Sequence, residues 1–260
     1  MFYALIGGTG VENLTLTEKR AITVETPYGT VEPVVGKLTN REIVFMSRHG
    51  GCHATPPHLV NYRANIWALR KLGVRKILAT AAVGSLSPNF HSGELVLPDQ
   101  FLDFTKSRTQ TFYEGGEQGV LHVDMTEPYC SDVRRVIMDA SEQLGFVIKN
   151  GACYVCTEGP RFETPAEIRM FQHLGGDLVG MTSVPEVVLA RELGMCYASI
   201  GMVTNEAAGI TSQPLTHAEV MESMKALGVK VTKIIEESIG LWTPDQNCRC
   251  ASANREVGKF

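Results

Sequence analysis

Apolar and polar residues follow one another along the chain in blocks that predict strands first and helices later. The run from Tyr3 to Gly8 predicts a buried strand that ends in a glycine-rich turn, and β-rich segments follow around Ile22 to Glu25 and Glu42 to Ser47. Between His58 and Leu72 the apolar positions recur at helical spacing, and Gly73 stands where a helix C-cap is expected. The N-terminal part is therefore predicted to be mostly sheet, followed by a first helix.

The rest of the chain alternates strands and helices more regularly. The predicted elements are a strand at Lys76 to Ala82, a helix near Ser131 to Leu144, a strand at Ala152 to Cys156, a helix at Pro165 to Leu174, a strand at Asp177 to Met181, a helix at Pro185 to Leu193, a strand at Cys196 to Thr204 and a helix from about Thr216 to Ile239. This order predicts an α/β fold, a single domain over residues 1–242 with a mixed central β-sheet flanked by helices. Residues 243–260 are predicted to form a mobile C-terminal tail.

Composition and charge narrow the class of protein. The 260 residues are 44% hydrophobic and 20% charged, with a formal net charge of -4, so a nucleic-acid polymer is not an expected partner, whereas a small anion remains possible. The chain has no apolar run long enough to span a membrane and no secretory signal at its N-terminus, so we expect no membrane partner. Seven cysteines, an odd number scattered through apolar runs, predict reduced thiols and a cytoplasmic location.

Two separate segments offer groups that suit a flat polar ligand. The stretch from Glu158 to Thr164 places the ring of Phe162 and the carboxylate of Glu163 just before a predicted helix. The stretch from Thr204 to Ala207 places the amide of Asn205 just after a predicted strand. Stacking and hydrogen bonding from these side chains suit a purine.

Two glycine-rich strand ends offer groups that suit an oxyanion. The turn at Gly7 to Gly10 fails the dinucleotide fingerprint, because Asn13 stands where glycine is required, but its backbone N–H groups and the Thr9 hydroxyl suit phosphate. Arg48 and His49 add a guanidinium and an imidazole at the second strand end. The alternatives are a plain strand-ending turn and a solvated loop.

Other polar groups near strand ends leave several interpretations open. His49, His53, His58 and Cys52 share one loop, but they lack regular ligand spacing, so no metal is predicted. The small residues of Leu78 to Ser85 suit either a ligand close to the backbone or close helix packing. In Gly180 to Glu186, hydroxyl groups precede Pro185 at the start of a helix, where they either cap the helix or contact an anion.

The ordered set of these motifs resembles the trimeric purine nucleoside phosphorylase and methylthioadenosine phosphorylase family. The matching segments are Gly7 to Gly10, Arg48 with His49, Val60 to Asn65, Glu158 to Glu163, Gly180 to Glu186 and Thr204 with Asn205. Each motif alone is weak, but their order over nearly the whole chain is specific. The resemblance implies a nucleoside phosphorylase-like fold and phosphorolysis of the N-glycosidic bond of a purine nucleoside.

The resemblance also assigns roles to individual residues. It implies a phosphate site at Thr9, Arg48, His49, the backbone around Ala81 and Ala82, and Thr182, and a ribose contact at Met181. Catalytic roles fall on Asn205, His49 and Arg48. The chain departs from the family at Ala81, where Asn or Thr is common, so a side-chain contact to the ligand is lost there. No cofactor is implied, because inorganic phosphate is a co-substrate, and the expected assembly is a homotrimer.

The residues that face the base favour a 6-oxopurine. The adenine-preferring branch of the family usually has an Asp-x-Asp pair where Asn205 and Ala207 stand, and a small hydroxyl residue in place of Glu163. Glu163 can accept a hydrogen bond from N1–H of a 6-oxopurine, while Asn205 donates to O6 and accepts from N7–H. Adenine reverses this pattern and leaves buried polar groups unpaired. Inosine and guanosine are therefore the predicted substrates, with the base stacked on Phe162.

The residues that contact the 5′ substituent of the sugar distinguish two possible activities. His217 stands where the methylthio-specific branch usually has an apolar residue, which favours the 5′-hydroxyl of a ribonucleoside, and the resemblance implies that His122 reaches this pocket from the neighbouring subunit. Either histidine is otherwise a plain surface residue. The alternative activity is S-methyl-5′-thioinosine (or methylthioadenosine) phosphorolysis. A nucleoside hydrolase and a purine-binding module without activity remain rival interpretations.

Cys248 and Cys250 form a C-x-C pair near the C-terminus. Some thermophilic relatives of the family have a strained disulfide in this place. The prediction for this chain is that both cysteines are free thiols.

Overall fold

The computed structural model describes residues 3–8, 11, 14–50, 55–211, 216–243, 248–254 and 257–258. The helices are α1 (Tyr62–Lys71), α2 (Ser131–Gln143), α3 (Pro165–His173), α4 (Ser183–Glu192) and α5 (His217–Leu241), with short 3₁₀ turns at Pro57–Leu59, Gly116–Gln118 and Cys250–Ser252. The strands are β1 (Tyr3–Gly7), β2 (Thr17–Ala21), β3 (Val24–Thr26), β4 (Gly29–Val31), β5 (Val34–Leu38), β6 (Arg41–Ser47), β7 (Lys76–Ser85), β8 (Leu95–Leu97), β9 (Gln100–Phe104), β10 (Val120–Leu121), β11 (Lys149–Asn150), β12 (Cys153–Thr157), β13 (Leu178–Gly180), β14 (Cys196–Glu206) and β15 (Val257–Gly258).

An eleven-stranded mixed sheet forms the centre of the molecule, as predicted. Its main path runs β11-β8-β14-β7-β1-β6-β5-β2, and β12, β13 and β9 branch from β7. The neighbours β14, β7, β1 and β6 are mutually parallel, so their carboxyl ends lie at one edge of the sheet. This edge is where ligands bind in open α/β sheets.

Helices cover both faces of the sheet, which explains why the central strands are apolar almost throughout. Ala4 and Ile6 of β1 pack in the core with α1 and α4, whereas Tyr3 and Leu5 pack in the core with α2 and α5. Successive side chains of a strand point to opposite faces, so a strand covered on both sides needs apolar residues at every position.

Several boundaries differ from the sequence-based prediction, and pairing explains the differences. β7 and β14 pair from Lys76 with Cys196 to Ser85 with Glu206, so β7 extends past Ala82 and Asn205 lies within β14 instead of after it. The helix predicted from His58 begins at Tyr62, because the Asn61 side chain accepts a hydrogen bond from the Ala64 backbone N at 3.0 Å and caps it.

The segment after Trp242 contacts the rest of the molecule at its described residues, in contrast to the predicted mobile tail. Trp242 itself is 1% exposed, with its ring 5.0 Å from the Tyr3 ring. Further on, Cys250 is buried, and β15 pairs antiparallel with β10. The division of the chain at residue 242 stays a prediction.

None of the described helices is long and apolar enough to cross a membrane.

Candidate active site

A cavity of about 290 Å³ lies at the carboxyl edge of the parallel strands. β6, β7, β13 and β14 and the residues that directly follow them supply much of its wall, and α5 supplies Val220, Met221 and Met224. Most residues that the sequence predicts for the site line this one cavity: Arg48, His49, Ala81, Ala82, Phe162, Glu163, Met181, Thr182, Asn205 and Ala207. The fold thus brings together groups that are up to about 160 positions apart in the sequence.

Three predicted site residues are not placed in the cavity. Thr9 lies outside the described residues. His217 is the first residue of α5, but its side chain also lies outside what the structure describes. His122 is exposed just after β10 and is not among the residues that line the cavity.

Arg48 is held in a buried ion pair with Glu186. Its Nε and Nη2 donate to the two carboxylate oxygens of Glu186 at 2.8 and 2.7 Å, and Nη1 donates to the Thr80 carbonyl at 2.9 Å. Burial disfavours the charged guanidinium, but the attraction and hydrogen bonds of Glu186 outweigh it and raise the pKa of Arg48 above its ordinary value. The guanidinium carries five N–H groups, so Nη1 and Nη2 each keep one for a ligand.

The Glu186 side chain is fixed from a second direction, since the Tyr197 hydroxyl donates to its Oε2 at 2.7 Å. Glu186 is fully buried at the start of α4. Sequence reasoning quoted Glu186 in a motif and gave it no role. The signal was a carboxylate next to the apolar run from Val187 to Ala190, since a carboxylate has to be paired when it is buried.

His49 is oriented by its backbone neighbourhood. Its Nδ1 lies 2.9 Å from the carbonyl oxygen of Thr55, and a carbonyl only accepts, so Nδ1 carries the proton. When the ring is neutral, its accepting nitrogen is then Nε2. Of the other members of the considered metal loop, His58 lies in the 3₁₀ turn Pro57–Leu59, and Cys52 and His53 lie outside the described residues.

Thr80 and Thr182 line the cavity together with Arg48. Thr182 occupies the N-cap position of α4, yet its side chain makes no capping hydrogen bond. Thr80 is 1% exposed, and its Oγ1 has no hydrogen-bond partner among the described residues. A buried hydroxyl without a partner is costly, so Thr80 marks a place where a polar ligand would be stabilising. Sequence reasoning missed Thr80, although it is a polar residue within the small-residue stretch of β7.

Glu163 and Phe162 form another part of the cavity. Glu163 is 9% exposed, and its Oε1 accepts a hydrogen bond from the Thr157 hydroxyl at 2.6 Å. Burial disfavours the carboxylate more than this hydrogen bond favours it, so the pKa of Glu163 is raised above its ordinary value. Phe162 is 41% exposed, which leaves much of its ring open for stacking.

The Asn205 amide is oriented by its neighbours in the chain. Its Oδ1 accepts from the Thr204 hydroxyl at 2.7 Å, and its Nδ2 donates to the Glu206 carbonyl at 2.8 Å. Each amide atom keeps one further capacity, a lone pair on Oδ1 and an N–H on Nδ2. Gly84 makes room for this amide, because a Cβ there would lie 3.2 Å from Nδ2.

Arg108 connects the two loops that carry the base and ribose residues. Its Nη1 donates to the carbonyls of Met181 and Val184, both at 2.7 Å, and its Nη2 donates to the Glu158 carbonyl at 2.6 Å. Gly159 lets the loops approach, since a Cβ on it would lie 2.6 Å from the Met181 sulfur. Sequence reasoning missed Arg108, because no local pattern pairs an arginine with carbonyls 50 to 76 positions away.

Comparison with known proteins agrees with the family resemblance of the sequence motifs. The model of the phosphorylase superfamily matches residues 2–240. The chain is 55% identical to a probable 6-oxopurine nucleoside phosphorylase of Moorella thermoacetica, over 99% of both chains, and 49% identical to the 6-oxopurine nucleoside phosphorylase of Pyrococcus furiosus, over 96% of both. It is 51% identical to a probable S-methyl-5′-thioinosine phosphorylase of Methanopyrus kandleri, again over 96% of both chains.

The solved structures agree as well. Methylthioadenosine phosphorylase from Schistosoma mansoni in complex with adenine is 34% identical and superposes with a TM-score of 0.91, covering 98% of this chain and 96% of that one. The α/β fold predicted from the sequence is thereby confirmed, and so is the family resemblance. The chain belongs to the phosphorylase superfamily.

Proposed function

We propose that the protein is a purine nucleoside phosphorylase that cleaves 6-oxopurine nucleosides, inosine and guanosine, with phosphate to the free base and ribose 1-phosphate. The observation that carries the proposal is that the Glu163 carboxylate and the Asn205 amide line the same cavity as Arg48, His49 and Thr182. Glu163 and Asn205 suit the edge of a 6-oxopurine, whereas Arg48, His49 and Thr182 suit an oxyanion. Relatives about 50% identical are named for this activity.

The proposed reaction breaks the bond between C1′ of the ribose and N9 of the purine and forms one between C1′ and a phosphate oxygen. As the base departs, it takes up at N7 the proton that phosphate loses; Asn205 donates to O6 and accepts from this N7–H, while Glu163 accepts from N1–H. The two remaining N–H groups of Arg48, with Thr182 and the backbone around Ala82, hold phosphate beside the cationic sugar. Preorganised groups of this kind provide most of the acceleration without a covalent enzyme intermediate.

The ribose would lie between these two sets of groups. Met181 would contact the sugar, and its loop is held by Arg108 through the Met181 carbonyl. His49, with Nδ1 donating to the backbone, would present Nε2 to a protonated phosphate oxygen. The proposed reaction uses inorganic phosphate as co-substrate and no cofactor.

A second candidate activity is phosphorolysis of S-methyl-5′-thioinosine. α5 adds the apolar side chains of Val220, Met221 and Met224 to the cavity wall shortly after His217, and such a wall suits a methylthio group. The base-reading residues are the same for both substrates. The methylthio substituent and the 5′-hydroxyl would therefore compete for one pocket.

The assembly and location belong to the same proposal. We propose a homotrimer in the cytoplasm, in which His122 completes the 5′ pocket of a neighbouring subunit. The exposed position of His122 supports this assignment. Light scattering on the purified protein tests it, since a monomeric mass would contradict a shared pocket.

An assay with inosine, guanosine, adenosine and the two methylthio nucleosides tests the function. We expect cleavage of the 6-oxopurine nucleosides, absolute dependence on phosphate, and ribose 1-phosphate as the product. Free ribose formed without phosphate would identify a hydrolase, and purine binding without turnover would identify a binding module. A higher kcat/KM for methylthioinosine than for inosine would establish the second candidate.

The acid limb of the pH profile is expected to depend on Glu163. Its pKa is raised, so the carboxylate becomes protonated at a higher pH than an ordinary glutamate, whose pKa is about 4.3. A protonated Glu163 no longer accepts from purine N1–H, so kcat/KM for inosine falls as the pH drops through the raised pKa.

The matched control is Glu163→Gln, measured in the same buffers so that the ionisation of phosphate affects both proteins equally. This variant cannot titrate, and it loses about 1–3 kcal/mol of base recognition at neutral pH. Its acid limb is expected to be flatter than that of the unmodified protein. Two acid limbs of equal position and depth would remove Glu163 from base recognition.

A further inference from the structure

We propose that Cys130, Cys196, Cys248 and Cys250 bind a structural zinc ion outside the active site. Sequence reasoning considered a metal only in the loop of His49, Cys52, His53 and His58, and it treated Cys248 and Cys250 as a separate pair of free thiols. The fold brings all four together, and their Sγ atoms lie within 4.8 Å of one another.

The spacing of the sulfur atoms suits tetrahedral zinc. A zinc–sulfur bond of about 2.3 Å places the four sulfurs of a Cys₄ site about 3.8 Å apart. The Sγ atoms of Cys196 and Cys248 are 3.3 Å apart, and the others are within 4.8 Å, so a shift of less than about 1 Å completes the tetrahedron. Four thiolates also match the preference of zinc for soft ligands.

Three distant parts of the chain supply the four ligands. Cys130 is the N-cap residue of α2, and Cys196 is the first residue of β14. Cys250 begins the 3₁₀ turn Cys250–Ser252, and Cys248 lies two residues before it. The Cys130 backbone N donates to the Tyr197 carbonyl at 2.8 Å, which fixes two of these parts together. Cys130, Cys196 and Cys250 are each at most 2% exposed, so water is largely excluded from the site.

The charge around the cluster also fits a metal thiolate. Zinc with four thiolates carries two negative charges, which need compensation when they are buried. Arg191 is 4% exposed, and its Nη1 donates to the Cys250 sulfur at 3.1 Å, while its Nε donates to the Asp124 carbonyl at 3.2 Å. A buried guanidinium directed at a sulfur is the kind of outer-sphere donor that stabilises a metal-bound thiolate.

The ion would hold the C-terminal segment to the body of the molecule. Binding converts four thiols to thiolates and releases four protons, and no electron transfer is needed. The segment held in this way continues to β15, which pairs with β10, the strand that directly precedes His122. The proposed ion is therefore structural and takes no part in the chemistry at the cavity.

Metal analysis of the full-length protein, purified without a metal-affinity step, tests the proposal. We expect about one zinc per chain, as in structural Cys₄ sites, and loss of this zinc in Cys248→Ser and in Cys250→Ser. Cys153→Ser is the matched control, because Cys153 is a free cysteine outside the cluster, and it is expected to keep the ion. Stoichiometric zinc in Cys250→Ser would overturn the assignment, as would an absence of zinc in the unmodified protein after incubation with zinc under reducing conditions.

Two further measurements use the unmodified protein, so they test the zinc site even if the cysteine variants do not fold. Replacement of zinc by Co²⁺ is expected to give the thiolate-to-cobalt absorption of a tetrahedral site. Alkylation after denaturation with a chelator and no reductant is expected to label all seven cysteines. Two disulfides within the cluster would leave only the other three reactive and would contradict the zinc site.

Discussion

Replacing Asn205 by aspartate is expected to shift the preference of the protein from 6-oxopurine to 6-aminopurine nucleosides. The Asn205 Nδ2 keeps one N–H for O6 of inosine, and a carboxylate has no such donor. The same carboxylate can accept from the exocyclic amine of adenosine. The variant therefore loses the hydrogen bond to O6 of inosine and gains a hydrogen bond from the exocyclic amine of adenosine.

The expected change in preference is about 2–6 kcal/mol, since two contacts change and each mismatched buried polar group costs about 1–3 kcal/mol. In kcat/KM this is a shift of roughly 30- to 20,000-fold in the ratio of adenosine to inosine. The variant also loses the hydrogen bond from Nδ2 to the Glu206 carbonyl. That loss affects both substrates equally, so the ratio is the quantity to measure.

Two companion variants separate base reading from general damage. Asn205→Ala removes the amide without adding a carboxylate, so it should lower activity on inosine without a gain on adenosine. Adding Glu163→Ser to Asn205→Asp removes the carboxylate that faces N1 and should extend the shift. If Asn205→Asp keeps the inosine selectivity of the unmodified protein, the assignment of Asn205 as the residue that reads the base is wrong.

The fold was largely predictable from the sequence because its strands and helices are strongly patterned. Strands buried on both faces gave continuous apolar runs, and the order of the motifs identified the family. The errors lie where pairing with distant residues decides the structure. β14 extends to Glu206 because it pairs with β7 to Ser85, and no local property of Thr204 or Asn205 shows this.

Site residues could be predicted from the sequence where they face the ligand and stand in a motif. They could not be predicted where a side chain only positions another residue. Arg48, Glu163 and Asn205 were identified from their motifs, and all three line the cavity. Glu186 and Arg108 were missed, because they act through distant partners: Glu186 pairs with Arg48, 138 positions away, and Arg108 donates to backbone carbonyls 50 to 76 positions away. The cysteine cluster escaped for the same reason, since its members come from three separate segments.

The buried pair of Arg48 and Glu186 gives the second large expected effect. Arg48→Met should reduce kcat/KM for phosphate by about 10²–10³, the range for loss of one preorganised donor to an oxyanion. It should also destabilise the fold by about 3–5 kcal/mol, because Glu186 is left fully buried without its cation. Phosphorolysis kinetics at varied phosphate and denaturant unfolding measure the two effects separately.

The double variant Arg48→Met with Glu186→Gln distinguishes a phosphate ligand from a purely structural arginine. Removing the carboxylate charge relieves the unpaired burial, so much of the lost stability should return, while the use of phosphate stays impaired. The hydroxyl of Tyr197 can still donate to the amide oxygen of the new glutamine, which keeps that side chain in place. Recovery of phosphate kinetics together with stability would show that Arg48 only supports the fold. Recovery of stability alone would assign the two remaining N–H groups of Arg48 to phosphate.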